Sequence, residues 1–114
     1  MTDNNTKYGK NALENNSSNN NSAFGYSTLE ENTDGYQNTS CGADALTLNT
    51  DGINNCALGH HSLLNNINGN RNTGIGALSL KNNSTGNNNV AIGFKAGLTL
   101  KSGNSNKKEK QNYQ

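Results

Sequence analysis

Six glycines, Gly9, Gly25, Gly42, Gly59, Gly76 and Gly93, stand 16, 17, 17, 17 and 17 residues apart along a chain of 114. A period held over nearly the whole length means that each repeat must become the same structural unit. With each glycine as an anchor, further columns appear. Four residues before it stand Asn5, Asn21, Asn38, Asn55, Asn72 and Asn89, and one before it Tyr8, Phe24, Cys41, Leu58, Ile75 and Ile92. Two before it come Lys7 and then the small residues Ala23, Ser40, Ala57, Gly74 and Ala91. Four after it come Leu13, Leu29, Leu46, Leu63 and Leu80, with Gly97 interrupting. Seven after it come Asn16, Asn32, Asn49, Asn66 and Asn83, and ten after it Gly35, Gly52, Gly69, Gly86 and Gly103. Richness in asparagine alone does not place Leu and Gly in the same register.

Seventeen residues are too few for a pair of packed helices, and two glycines per repeat with several Asn oppose helix formation. Segments such as "NVAIG" and "NCALG" alternate like a short strand and run into a glycine turn. A second short segment follows around the Leu, and then an Asn-Gly turn. The pattern predicts an all-β, parallel β-roll or β-solenoid of about six 17-residue coils, stacked ~4.8 Å apart. Anchor and +10 glycines are expected at corners with positive φ. The Asn21, Asn38, Asn55, Asn72 and Asn89 column is expected to form an amide ladder, each side chain bonding its copies above and below.

Composition fits a thin object. Leu, Ile, Val and Phe supply 18 of 114 residues, below the ~20% that accompanies an ordinary packed core. The formal net charge is only +1, which argues against strongly charged disorder and leaves no electrostatic footprint for a nucleic acid. No apolar run approaches the ~18 residues that span a bilayer. The repeat domain is expected over residues 6–103, after a frayed N-terminus over 1–5 and before a disordered basic tail over 104–114, which carries Lys107, Lys108 and Lys110.

Side-chain alternation puts the residues at −3 and −1 on one face and those at −2 on the other. The core is expected to comprise Phe24, Cys41, Leu58, Ile75 and Ile92 with Leu29, Leu46, Leu63 and Leu80. The small −2 residues would then face outward, letting another backbone approach. Two large apolar side chains per coil make a meagre core, so burial against sister chains, and hence a homo-oligomer, is expected.

"NVAIGFKA" and "NTGIGALSL" resemble the head repeats of trimeric autotransporter adhesins, which are haemagglutinin-like. The longer phrases "AIGFKAGLTLKSGNS" and "GALSLKNNSTGNNNVAIG" are similar to repeats in phage tail fibres and in surface proteins of large DNA viruses. The resemblance runs from about Thr6 to Gly103. It implies a left-handed roll and three chains about a threefold axis. Lys7 in the small column and Cys41 and Cys56 depart from the family phrase, and the adhesins' secretion signal, stalk and anchor have no counterpart here. A part of a viral or phage particle, made in host cytoplasm and carried on the virion surface, is therefore the expected setting, with a cell-surface adhesin as the alternative.

Several residues invite chemistry. Cys41 and Cys56 are expected one coil apart and diagonal, beyond disulfide reach, as buried free thiols. His60 and His61, if in a strand, point to opposite faces and cannot share one ion. Asp34 and Asp51 in "TDG" suit turns, and a calcium roll would repeat far more Asp. No Ser-His-Asp set, paired carboxylates or phosphate loop recurs, so no catalytic residue, cofactor or metal is expected. The expected function is non-enzymatic: a rigid trimeric fibre or head segment. Its partners would be its own copies, other virion or surface proteins, or a host receptor or glycan met by the turns around Tyr36 and Arg71. An ice-binding solenoid is a lesser alternative, since Thr and Ser look scattered.

Overall fold

A computed structural model of the chain describes residues 4–109. It is all-β: strands β1 (Thr6–Tyr8), β2 (Ser22–Phe24), β3 (Thr39–Cys41), β4 (Cys56–Leu58), β5 (Thr73–Ile75), β6 (Val90–Ile92) and β7 (Lys107–Lys108) form one parallel sheet in chain order. The register follows the period, with Ser40 opposite Ala57 and Ala57 opposite Gly74. The molecule is a β-solenoid of about six turns, one three-residue strand to each.

The segment around the Leu is not a second strand. It is a run of overlapping turns, in which Ser62 N–H donates to Gly59 O, Leu64 N–H to His61 O and Asn66 N–H to Leu63 O. The N–H groups between these donate to the next coil instead, Leu63 to Ser79 O at 3.0 Å and Asn65 to Lys81 O at 3.1 Å. Alternating intra-coil and inter-coil bonds thus satisfy consecutive donors without a strand. This path requires left-handed backbone at the Leu column itself, where Leu13, Leu29, Leu46, Leu63 and Leu80 have φ of 50–54°. Such a conformation strains a residue with a Cβ by roughly 1–2 kcal/mol. Complete burial of Leu29, Leu46, Leu63 and Leu80 offsets it.

The alternation along each strand holds, but its sense is opposite to the expected one. Ala23, Ser40, Ala57 and Ala91 are fully buried, whereas Phe24, Leu58 and Ile92 are 42%, 38% and 49% exposed; Cys41 is exposed and Ile75 half-buried. The reason is room. Across the stack the coil measures only 22 by 15 Å, and from the turn side it already receives the Leu and a second small column of Ala45, Ser62, Ser79 and Ala96. Even at Gly74 an added Cβ would lie 2.8 Å from Ser62 Oγ. Only small residues fit on the strand side, and the large −1 residues go outside.

The glycines divide into two kinds. Gly25, Gly42, Gly59, Gly76 and Gly93 have φ between 120 and 131°, the corner that a side chain resists. Gly35, Gly52, Gly69, Gly86 and Gly103 are not among the positive-φ residues. They are required by proximity: a Cβ on Gly69 would meet Gly86 O at 2.5 Å and Asn72 Nδ2 at 2.8 Å. The left-handed corner near them falls on Gln37, Asn54, Arg71 and Asn88.

Those packed carbonyls join two Asn ladders of different construction. In the −4 column each Oδ1 accepts a main-chain N–H from the next coil, Asn55 N–H to Asn38 Oδ1 at 2.9 Å and Asn72 N–H to Asn55 Oδ1 at 2.9 Å. Its Nδ2 donates to a glycine carbonyl, as Asn55 does to Gly69 O at 2.8 Å. The expected copy-to-copy amide bonds are longer here and end at Asn55 (Asn55 Nδ2 to Asn38 Oδ1, 3.1 Å) before returning at Asn106. In the +7 column the amides do bond copy to copy, from Asn32 to Asn16 (2.6 Å) through Asn83 to Asn66 (3.0 Å).

The ends differ from the expected boundaries. Asn5 belongs to the ladder, accepting from Asn21 N–H at 2.8 Å. At the other end β7 pairs with β6, and Asn106 N–H donates to Asn89 Oδ1 at 2.8 Å, so the roll continues through residues assigned to the tail; 110–114 lie outside the described residues. The short first repeat absorbs its missing residue in the last turn. Ser18 O there accepts from Asn16 Nδ2 and Asn5 Nδ2 as the +10 glycine carbonyls do elsewhere.

Candidate interaction face

Because the −3 and −1 residues point outward, the strands present a continuous flat face. From β2 to β6 it reads Ser22 and Phe24, Thr39 and Cys41, Cys56 and Leu58, Thr73 and Ile75, Val90 and Ile92, with no charged residue in either column. Parallel register stacks these residues at ~4.8 Å intervals, so the two columns run for about 20 Å. Tyr26 and Phe94, each following a corner glycine, are 52% and 59% exposed. A regular, uncharged strip of this length, edged by polar turns, is the candidate interaction surface of the described residues.

Both cysteines lie on this face and are free, which corrects the expectation of buried thiols. Cys41 sits opposite Leu58, and Cys56 between Thr39 and Thr73. They occupy different columns of adjacent strands, in the diagonal relation expected. Partial burial pushes the Cys56 thiol above its ordinary value of 9.0.

His60 and His61 follow the anchor glycine in a turn, not a strand, so the opposite-face argument does not apply. Their rings stack, centroids 3.8 Å apart, and His61 Nε2 lies 3.3 Å from Asp44 Oδ2 in the coil before. Among the described residues no three His, Cys, Asp or Glu side chains form a group able to hold a metal ion. Asp34 and Asp51 are exposed, neighbours in one column, with N–H groups bonded to Thr50 O and Ile67 O. Tyr36 is exposed on the turn leading into β3, and Arg71, on the equivalent turn two coils on, donates from Nε to Asn88 Oδ1 at 2.8 Å.

One column escaped the sequence reading. Eight residues after the anchor, Thr33, Thr50 and Ser84 each donate a hydroxyl to the carbonyl seventeen residues on, at 3.2–3.3 Å. The same alignment on the anchor glycines contains this signal, and the hydroxyls that look scattered in the linear sequence are ordered. Compared with protein-family models, curated proteins and solved structures, the chain matches none.

Proposed function

We propose that the protein is a non-enzymatic structural or attachment module, a rigid β-roll that assembles as a homotrimer through its outer sheet face. The observation that carries this reading is the uncharged −3 and −1 face, whose Phe24, Leu58 and Ile92 stay substantially exposed in the single chain. The small −2 column no longer argues for assembly, since it is used up inside the coil; the large residues outside it now do. Three such faces turned toward a common axis would bury their apolar strips together, and a flat repetitive strip favours in-register contact over a chance encounter. Resemblance of the repeat phrase to adhesin heads and phage or viral fibres supports three copies, a left-handed coil and a place on a particle surface.

Tyr36, Arg71 and their neighbours, on the turns leading into the strands, would in that assembly be presented in three copies at fixed spacing, so that many weak contacts to a receptor or glycan add up. Sedimentation equilibrium at micromolar concentration tests the assembly, with a mass three times that of the 12.1 kDa chain expected. A folded species of single-chain mass rules it out.

A further inference from the structure

The −2 column reads Lys7, Ala23, Ser40, Ala57, Gly74, Ala91 and Lys108 across the seven strands, in unbroken register from Lys7 opposite Ala23 to Lys108 opposite Ala91. This column points into the coil. Its five middle members are fully covered, and the interior beside Gly74 has no room for a methyl group without displacing Ser62 and Ser79. Both Lys residues are exposed because each lies on an outermost strand of the described structure. Lys7 stands with Leu13, Glu14, Asn5 and Asn16 around an opening of about 190 Å³ at the start of the stack.

A parallel solenoid has a built-in tendency to grow. Its end strands carry main-chain groups in the same register as every internal strand, and the ladders are polar: each Oδ1 of the −4 column accepts from the coil after it. One end therefore matches the opposite end of another copy, a head-to-tail contact that does not close and leads to filaments. We propose that Lys7 and Lys108 prevent this, acting as inward-pointing charges that forbid a second copy from stacking end-on. Any coil laid over either end would enclose an ammonium in a space sized for alanine, among Leu and backbone groups already paired. The device acts alike on a single chain or on a trimer, since every copy carries both residues.

The experiment compares wild type with K7A/K108A, K7S/K108S and the charge-keeping K7R/K108R. Sedimentation velocity and negative-stain electron microscopy follow size, and circular dichroism reports the fold. Wild type and the Arg pair are expected at one discrete size. The Ala and Ser pairs should yield unbranched filaments of one width, at least tenfold heavier, with strand signal retained. Folded Ala and Ser variants of wild-type size overturn the proposal. So do filaments of wild type, or a shapeless precipitate without strand signal from both small-residue pairs.

Discussion

Leu100 fills the space that Gly97 leaves empty. In the sixth coil the +4 column has Gly97 instead of Leu, and the +7 column has Leu100 instead of Asn; Leu100 packs on the core, and a Cβ on Gly97 would lie 3.5 Å from its Cδ1 and 2.9 Å from Leu80 Cδ2. The exchange conserves apolar volume but ends the +7 ladder, leaving the buried Asn83 Oδ1 without a donor.

The two substitutions should therefore be coupled. L100N restores a donor for Asn83 but opens a hole, and G97L alone overpacks against Leu80 and Leu100, each costing about 1–3 kcal/mol. Together they rebuild the repeat found in the other coils. The double variant is expected to be more stable than the sum of the singles by at least ~1.5 kcal/mol in urea titrations.

Neighbouring residues on β4 should respond in opposite ways. A57K puts a charge into the filled interior and is expected to abolish the cooperative melt. L58K points outward and should keep the strand circular dichroism while the sedimenting mass drops to that of one chain. The reverse outcome would restore the face assignment that alternation first suggested.

Here the limits of the sequence are instructive. Period, register, the Asn columns and the Leu core were all legible, since each follows from matching letters seventeen apart. Alternation at Ala57 and Leu58 distinguishes two faces without saying which is inside, and hydrophobicity pointed the wrong way. What decides is the width of the coil, set by turns whose Leu63 adopts a left-handed backbone, a conformation that propensity disfavours. Gly69 was likewise visible as invariant in its column, but close packing, and not φ, requires it. The outer face could have been suspected from the −2 column alone, had the smallness of its members from Ala23 to Ala91 been read as a tight interior.

Removing one Asn from the middle of the ladder should be costly. N55A takes away the buried acceptor for Asn72 N–H and one of the two donors to Gly69 O, which keeps Asn66 Nδ2 at 3.0 Å. One orphaned group of this kind costs roughly 1–3 kcal/mol, and chemical denaturation should show a loss in that range. The same change at Asn106, which is only partly buried and lies at the end, should cost under ~1.5 kcal/mol.

Alkaline pH should expose the Cys56 thiol. Its folded-state pKa is raised by desolvation, so the unfolded chain loses the proton first as pH rises. The stability associated with it is fully present below the unfolded value near 9.0 and is lost as pH climbs through the folded one. C56S should accordingly show a shallower fall in melting temperature above pH 9 than wild type does, and equal behaviour of the two would remove this account.

Ser18, standing in for a glycine in a turn one residue short, shows where the architecture can absorb a change of length. An outermost coil has a neighbour on one side only, so a single-residue deletion distorts one contact surface and spares the rest. Inside the stack the same deletion would shift amide, leucine and glycine against partners above and below at once. Interior insertions or deletions of a whole seventeen-residue rung would keep every column in register, while an end rung absorbs a single residue, as the first one does.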